Sequence, residues 1–293
     1  MSENTNPLMK LWRALPFTGD AGPLVTVIEL NGVIGAAGPG RKGLSLQRLE
    51  KSIEAAFKPG NLSAVALAIN SPGGSPVQSR LIYGMIRRLA GEKEIPVLAF
   101  VEDVGASGGY ILSVAGDEIY ADESSIVGSI GVIAGGFGFE AAIERLGIER
   151  RIHTAGENKS TLDPFKPEDP EEVARLQKIL DDLHLQFIDL VKSRRSGKLA
   201  DDKEIFSGSF WTAPKAKELG LIDGTAQLGD FLRARYGKDV KIKRVSPEAG
   251  SLLKKLLSSR AASDVRSDAG PLIDADAVLD AIERRSIWAR FGL

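Results

Sequence analysis

The pair of residues most able to do chemistry in this chain is Ser107 and Lys159, which are 52 positions apart. Ser107 lies between glycines in Gly105-Ala-Ser-Gly-Gly-Tyr110, and Lys159 lies beside hydroxyl residues in Gly156-Glu-Asn-Lys-Ser-Thr161. A serine hydroxyl is a weak nucleophile and needs a base that is active near the working pH. A lysine becomes such a base when desolvation or neighbouring cations lower its pKa from about 10.4 towards about 7 to 8. The pair therefore predicts a nucleophile and a general base that work without histidine.

Glycines elsewhere in the chain can supply backbone donors for the same reaction. Acyl transfer from a peptide needs N–H groups near the developing oxyanion. Gly74, in Pro72-Gly-Gly74, can supply one donor, because a glycine lets the backbone approach a ligand closely. Gly108, at the start of a helix predicted just after Ser107, can supply the other, helped by the helix dipole. Pro-Gly-Gly alone is more often a plain turn, so the assignment of Gly74 depends on its position 33 residues before Ser107.

Alternating strands and helices are predicted to position these residues. Apolar runs indicate strands, and 3.6-residue spacing indicates helices. The predicted strands are Leu24–Leu30, Val65–Ile69 and Val97–Val101, and the predicted helices are Leu46–Phe57, Ser79–Leu89, Gly108–Ala115 and Pro170–Ser193. This alternation favours a parallel sheet, whose ligand sites lie beyond the carboxyl ends of the strands. Gly74 and Ser107 both follow strands, so both are expected at that edge.

Two helices carry predicted buried faces. In the helix Ser79–Leu89 the face is expected to include Leu81 together with Ile82, Met85, Ile86 and Leu89. The helix Pro170–Ser193 carries an apolar stripe formed by Val173, Leu176, Leu180, Leu183, Phe187 and Val191. His184 lies beside that stripe, and a structural role is expected for it.

Together these motifs resemble the SppA-type signal peptide peptidases (protease IV), which are Ser/Lys proteases of the ClpP/crotonase superfamily. The resemblance covers Leu24 to Gly224 and rests on the order and spacing of Pro72-Gly-Gly74, Ser107 and Lys159. It implies an α/β fold of the ClpP/crotonase type, with repeated ββα units and a mainly parallel sheet, to which this chain adds a C-terminal helical extension. It also implies a serine endopeptidase that hydrolyses signal peptides or other unstructured peptides and needs neither cofactor nor metal.

The resemblance assigns roles to individual residues. It implies that Ser107 is the nucleophile, that Lys159 is the general base, and that Gly74 and Gly108 form the oxyanion hole. The family has a third serine at the position of Ser129, in Gly128-Ser-Ile-Gly131, where its hydroxyl orients the lysine. A plain turn residue is the alternative for Ser129. The resemblance further implies extended peptide substrates that add a strand, and a homo-oligomer whose serine and lysine come from neighbouring protomers.

The amino-acid composition argues against several classes of function. With 293 residues, 43% of them hydrophobic, the chain is long enough for one large α/β domain with extensions. Its net charge of −1 gives no general attraction for nucleic acid, and its lack of cysteine removes disulfides, thiolate zinc sites and cysteine nucleophiles. Only two histidines are present, so a multi-histidine metal site has little to build on.

Three regions are predicted along the chain. Residues 1–22 form a polar tail without the long apolar run of a signal peptide or a spanning helix, and we therefore expect a cytoplasmic protein. Residues 23–246 form the Ser/Lys peptidase domain. Residues 247–293 form a linker and an amphipathic C-terminal helix, for which packing on its own domain is expected. Oligomer contact and peripheral membrane contact are the alternatives for that helix.

Other functions fit parts of the pattern. Gly105–Gly109 matches the G-x-S-x-G elbow of α/β-hydrolases, which requires a histidine after the serine. The candidates are His184 and His153, and the latter lies in Arg150–Thr154, a predicted strand, so a Ser/His/Asp triad is the weaker interpretation. A crotonase-like acyl-CoA enzyme would share the fold and the oxyanion hole but has no need for the Ser/Lys pair. A non-catalytic oligomeric binding protein would leave Lys159 solvated.

Overall fold

The computed structural model describes residues 22–35, 43–245, 286 and 288–292. Within these ranges, apolar and β-branched runs form one eight-stranded sheet. Its strands are β1 Leu24–Asn31, β2 Leu62–Ser71, β3 Val97–Ala106, β4 Glu118–Ala121, β5 Ile126–Gly128, β6 Phe210–Thr212, β7 Gly224–Thr225 and β8 Lys241–Val245. The order is β6-β5-β3-β2-β1-β8, with β4 between β3 and β7. All pairs are parallel except β5 with β6.

Helices connect the strands. They are α1 Leu46–Phe57, α2 Pro76–Lys93, α3 Gly108–Ser113, α4 Glu140–Arg145, α5 Pro170–Arg194, α6 Ala213–Glu218 and α7 Leu228–Tyr236, with a 3-10 turn at Lys203–Phe206. Several starts have a chemical cause. Proline occupies the first turn of α2 and of α5, and the side chains of Ser75 and Asp169 cap the same two helices.

The core lies on both faces of the sheet because neighbouring strand residues point to opposite sides. On one face Ile28 and Leu30 of β1 pack in a cluster with residues of α1, α2, α3 and α5. On the other face Val25 and Val27 pack in a second cluster under Leu232 of α7. Burial on both sides explains the nearly continuous apolar runs of β2 and β3.

The carboxyl ends of β2 and β3 meet at one edge of the sheet. Their register shifts between Ile69 and Ser71, so that Ser71 lies opposite Gly105. This shift carries the turn after β2 and the turn after β3 out of the sheet side by side. The predicted placement of Gly74 and Ser107 at the same edge is therefore confirmed.

Some sequence-based expectations were wrong. Leu81 is 44% exposed rather than on the buried face of α2, because the core covers only the side that carries Ile82, Met85 and Ile86. Residues 150–154 are irregular and form no strand. The apolar stripe of α5 is buried only at its C-terminal end, at Phe187 and Val191, whereas Val173 near its start is exposed.

Some regions remain predictions. The tail 1–22 and the segment 247–293 lie almost entirely outside the described residues, so the proposed division into three regions is untested. Within the described ranges, no helix combines the length and the apolar character needed to cross a membrane.

Candidate active site

Ser107 occupies the junction between β3 and α3 and has an unusual backbone conformation. Its φ is 52° and its ψ is −120°, a region in which an L-residue is strained by about 1 to 3 kcal/mol. The Ser107 N–H donates to the Gly128 carbonyl at 2.8 Å, which ties the junction to the end of β5. Such strain persists only where the surroundings impose it, and it gathers at sites where a side chain must be presented.

The turn after β2 lies directly against this serine. Gly73 has a φ of +104°, and a Cβ built on it would lie 2.8 Å from the Ser107 Cβ and 2.8 Å from the Gly108 nitrogen. Any side chain at this position would therefore push the two turns apart. The requirement for glycine at position 73 is steric as well as conformational, and it brings Pro72-Gly-Gly74 and Ser107 into contact.

Gly74 is held from the other side by the segment that follows β1. The Ile34 N–H donates to the Gly73 carbonyl and the Ser75 N–H donates to the Ile34 carbonyl, both at 2.8 Å. A Cβ on Gly74 would lie 2.1 Å from the Ile34 oxygen, so only glycine fits. These two hydrogen bonds engage the Gly73 carbonyl and the Ser75 N–H, which lie on either side of the Gly74 N–H along the backbone. Within the described ranges, neither that N–H nor the Gly108 N–H has a hydrogen-bond acceptor.

Ser129 follows β5 and is next to Ser107 through the sheet. Ala106 pairs with Gly128, which places Ser107 and Ser129 at the ends of adjacent strands. Ser129 also has a positive φ of 53°. Its N–H donates to the Ser209 carbonyl at 2.7 Å, and its own carbonyl accepts the Gly131 N–H at 3.0 Å. The structure thus gathers four of the five predicted site residues, namely Gly74, Ser107, Gly108 and Ser129.

Lys159 is the residue that a single chain does not bring to this cluster. It lies in residues 131–169, which we call the arm and which are almost entirely exposed. Local bonds shape its turn: the Lys159 N–H donates to the Gly156 carbonyl at 3.2 Å, and the Thr161 hydroxyl donates to the Asn158 carbonyl at 2.7 Å. None of the hydrogen bonds within the described part of the chain joins Lys159 to Ser107 or Ser129.

Neither histidine serves as a base for Ser107 in this arrangement. His153 is exposed on the arm. His184, on α5, has its Nε2 atom 3.1 Å from the Ile130 carbonyl oxygen, so this ring nitrogen is the donor. Over the described ranges no hydrogen bond joins either ring to Ser107. The elbow-like conformation of Ser107 is present, but the geometry gives a Ser/His/Asp triad no support.

The short helix α3, which begins just after Ser107, is fixed at its far end. The buried Tyr110 hydroxyl donates to the Leu221 carbonyl at 2.7 Å, and burial raises the pKa of Tyr110 far above its usual range, so it remains a donor. Arg194 of α5 donates to the Val114 and Gly116 carbonyls, each at 2.9 Å. A cation at the C-terminal end of a helix complements its dipole.

Three residues of this site were missed by the sequence analysis. Gly73 contacts Ser107, Ile34 pairs with the Gly74 turn, and Ser209 accepts the Ser129 N–H. The Pro-Gly-Gly motif contained a signal for Gly73, because two successive glycines after a strand indicate unusual backbone angles. Ile34 and Ser209 act through backbone atoms, for which the side-chain pattern contains no signal.

Comparison with known proteins places this site in a family context. The model of peptidase family S49 matches residues 90–242, just over half of the chain. A Brucella melitensis protein named Na(+)/H(+) antiporter NhaA is 48% identical over 277 residues, which are 92% of this chain and 37% of that protein. Protease 4 of Salmonella typhi is 32% identical over 225 residues, which are 74% of this chain and 34% of that protein. The chain thus spans only about a third of these two relatives.

Two further matches cover most of the matched protein. A Synechocystis protein that is named as a protease is 32% identical over 208 residues, which are 71% of this chain and 72% of that protein. Among solved structures, a variant of the 1510-N membrane-bound stomatin-specific protease in complex with a substrate peptide matches with a TM-score of 0.51. It is 19% identical, and the match covers 82% of this chain and 99% of that one. This structural likeness and the mainly parallel sheet confirm the predicted α/β fold.

Proposed function

The chain belongs to peptidase family S49, which confirms the predicted resemblance to SppA-type enzymes, and from this premise we propose that it is a serine endopeptidase. Its substrates are signal peptides or other unstructured peptides. One observation carries the proposal. Ser107 is held in a strained conformation beside the Gly74 and Gly108 N–H groups, for which the described residues provide no acceptor.

The proposed reaction is a two-step acyl transfer. Lys159 Nζ takes the proton from Ser107 Oγ as that oxygen attacks the peptide carbonyl carbon. The resulting ammonium then donates its proton to the leaving nitrogen as the C–N bond breaks, which leaves an acyl ester on Ser107. Water attacks the ester with Lys159 again as the base, and the serine and the free amine of the lysine are restored.

Two other groups of residues assist the transition state in this proposal. The Gly74 and Gly108 N–H groups donate to the oxyanion, and one such donor contributes about 10²- to 10³-fold in rate. These two N–H groups need no reorganisation, because Ile34 already fixes the Gly74 turn and Gly108 is the first residue of α3. The Ser129 hydroxyl accepts a hydrogen bond from the neutral Lys159 amine. This bond directs the lone pair of Lys159 Nζ at Ser107 Oγ. Ser129 is suited to this because its strand end adjoins that of Ser107.

We propose that Lys159 reaches Ser107 of a second copy of the chain. A solvated ammonium remains protonated at neutral pH and cannot act as a base, whereas an amine desolvated in an interface can. Lys159 is exposed in the single chain, and its arm carries large apolar side chains in water, including Phe137 (78% exposed) and Leu146 (72%). Covering them with another copy would bury apolar surface and desolvate the lysine at once.

The arm has the internal order that such a contact requires. The Phe139 N–H donates to the Pro164 carbonyl at 2.6 Å, and the Phe139 and Phe165 rings lie 5.7 Å apart. The Arg150 guanidinium lies over the Phe165 ring at 5.1 Å and is 3.4 Å from Asp163. These contacts hold both ends of the arm together without covering its apolar side chains. Ile179 and Leu185 of α5 are further large apolar side chains that are exposed in the single chain.

A matching apolar surface lies beside the nucleophile. Val77 and Leu81, one turn apart at the start of α2, are 63% and 44% exposed. They follow the Gly74 turn directly, so a chain that reaches Ser107 passes near them. An arm that docks on this surface would bring its lysine to the serine, and for that reason we assign the apolar surface of the arm to a second copy.

The proposed substrates bind in extended form and add a strand at the rim of the cleft. Cytoplasmic location and peripheral membrane contact stay predictions, and fractionation of cells that express the tagged chain tests both.

One observation favours a second candidate function. In a single chain Lys159 is exposed, and among the described residues no hydrogen bond or ion pair involves its side chain. If it stays solvated in the assembled protein, the chain binds peptides without cleaving them. Such a protein would form a stable oligomer and bind extended peptides, yet Ser107 would be inert.

The test combines a covalent probe with hydrolysis. We expect a fluorophosphonate to label Ser107, and an unstructured apolar peptide to be cleaved, in the wild type but not in Ser107→Ala. Lys159→Ala should reduce hydrolysis to near background, whereas the matched exposed change His153→Ala on the same arm should retain most of it. Loss of activity in His153→Ala with unchanged circular dichroism would contradict the Ser/Lys assignment, and an unlabelled wild-type oligomer would favour the binding protein.

A further inference from the structure

The segment that carries Ser129 needs support from outside itself. Ser129 has a φ of 53°, which costs a serine about 1 to 3 kcal/mol, and the preceding Gly128 has a φ of +118°. The two bonds at the Ser129 backbone connect it to Ser209 and Gly131, both of which are themselves in loops. The orientation of the Ser129 hydroxyl therefore depends on what holds the residues just after it.

A histidine of α5 supplies that support. His184 Nε2 donates to the Ile130 carbonyl at 3.1 Å, across 54 residues of sequence. Ile130 lies between Ser129 and Gly131, and its side chain is fully buried. The side chain of Ile130 is thus fixed by packing and its carbonyl by the ring of His184. Ser129 directly precedes Ile130 in the chain, so fixing Ile130 also restrains the backbone of Ser129.

The helix that carries His184 is itself anchored. At its end Arg194 binds the Val114 and Gly116 carbonyls, and Arg195 donates to the Gly220 carbonyl at 2.9 Å and to Asp223 at 2.7 Å. Arg195 is 2% exposed. His184 is about three turns before this anchor, so its ring is presented from a fixed element. The same helix therefore holds the end of α3 and the segment that follows Ser129.

We infer that His184 is a positioning residue, whose ring N–H fixes the Ile130 carbonyl and thereby the orientation of the Ser129 hydroxyl. The inference rests on the proposed function, because this orientation affects the rate only if Ser129 aligns the lysine base. A purely structural histidine would contribute packing alone, and leucine would replace it with no effect on turnover. The hydrogen bond from His184 to the Ile130 carbonyl is required for a positioning role but not for a packing role.

The experiment uses a matched pair of amide variants. Glutamine places an N–H donor as many bonds from the Cα as His Nε2, whereas asparagine is one bond too short. We expect His184→Gln to keep kcat within about twofold and His184→Asn to lower it roughly 2- to 12-fold, the effect of one lost hydrogen bond. KM should be unchanged in both. Equal kcat in the two variants would overturn the inference, because a role of His184 in general folding alone would lower kcat alike in both.

A double-mutant cycle tests whether His184 acts through Ser129. Residues that work through one group show non-additive effects. We therefore expect His184→Asn to cost little further rate in a Ser129→Ala background. His153→Asn, an exposed histidine on the arm, serves as the control and should leave kcat unchanged. Effects of His184→Asn and Ser129→Ala that multiply in full would show that His184 acts elsewhere.

Hydrogen exchange separates this inference from the proposed function. The Ser129 and Gly131 amides should exchange several-fold faster in His184→Asn than in His184→Gln, whether or not the protein cleaves peptides. Faster exchange in a protein that neither labels nor cleaves would support the role of His184 in the fold of this segment and refute the peptidase proposal alone. Unchanged exchange in His184→Asn would overturn the inference about His184.

Discussion

At the scale of single residues, the two serines of the site share a property that the buried serines of the sheet lack. Ser107 and Ser129 both have positive φ, at 52° and 53°. Non-glycine residues rarely adopt such angles, and they do so mainly where function requires it. The strain is imposed by Gly73, Gly128 and the strands that meet there, so the stability of the fold maintains the geometry of the proposed nucleophile.

This strain predicts a difference between two inactive variants. Ser107→Gly removes the side chain and relieves the backbone, whereas Ser107→Ala keeps the strained Cβ. Relief of about 1 to 3 kcal/mol exceeds the cost of about 0.5 to 1 kcal/mol for the added freedom of glycine in the unfolded chain. We expect Ser107→Gly to unfold at higher urea than Ser107→Ala, by about 1 kcal/mol in free energy. A lower urea midpoint for Ser107→Gly than for Ser107→Ala would show that Ser107 is not strained.

Ser129 predicts a partial effect on rate. In the proposed mechanism its hydroxyl orients the lysine but takes no proton from Ser107, so Ser129→Ala should be folded and slow rather than inactive. The loss of one such hydrogen bond costs about 1 to 3 kcal/mol, which is roughly 5- to 150-fold in kcat. Wild-type kinetics in Ser129→Ala would reduce Ser129 to a turn residue between glycines.

At the scale of secondary-structure elements, the Asp223 carboxylate joins the end of α5 to the start of β4 through ion pairs and a hydrogen bond. Asp223 accepts from the buried Arg195 at 2.7 Å and from Lys198 at 2.6 Å, and also binds the Ile119 N–H at 2.8 Å. Burial alone would raise the pKa of Asp223, but these hydrogen bonds outweigh it and hold the pKa below the ordinary value of 3.8. Asp223 therefore stabilises the fold at neutral pH.

These interactions of Asp223 predict how much its loss lowers the free energy of unfolding and how that loss depends on pH. Asp223→Asn leaves the Arg195 charge buried without its partner and should cost about 3 kcal/mol at pH 7 by urea unfolding. Lys198→Ala, which removes the 43% exposed partner, should cost less than about 1 kcal/mol. Because the folded pKa is lowered, the stabilisation is lost as the pH falls below about 4. The difference between wild type and Asp223→Asn should thus shrink in acid, and a constant difference would exclude this linkage.

The elements show which parts of the fold the sequence could predict. Leu46–Phe57 was predicted with the bounds that α1 has, and Val65–Ile69 lies within β2. These elements follow from local periodicity, and burial within one chain selects them. The stripe of α5 and the position of Leu81 were mispredicted. Whether an apolar face is covered depends on what packs on it, and neighbouring sequence does not contain that information.

The site was predictable to a similar degree, and for a related reason. Gly74, Ser107 and Gly108 could be placed together because they follow parallel strands, whose carboxyl ends share an edge. The interaction of Ile130 with His184 spans distant segments and uses a backbone carbonyl, so the sequence contained only a histidine beside an apolar stripe. Lys159 was paired with Ser107 from the chemistry of the two side chains and from the family resemblance, and among the described residues of the single chain no hydrogen bond joins them.

At the scale of the whole molecule, this separation and the uncovered apolar surfaces favour the same arrangement. Phe137 and Leu146 of the arm are exposed, as are Ile179 of α5 and Val77 of α2. Exposed apolar side chains that form a patch mark protein–protein contacts. A second copy that covers the arm would supply the lysine, so the assembled form is the one we expect to be active.

The final prediction tests this shared site by complementation. Ser107→Ala and Lys159→Ala should each be inactive when assembled alone. Unfolding the two variants together and refolding the mixture should restore hydrolysis, because some interfaces would pair an intact Ser107 with an intact Lys159 from different copies. With random mixing of equal amounts about one quarter of the sites would be complete, so the expected activity is about a quarter of wild type if sites act independently. If one chain supplied both groups, every site in the mixture would lack one of them. A mixture shown by differently tagged chains to co-assemble, and yet inactive, would exclude the shared site.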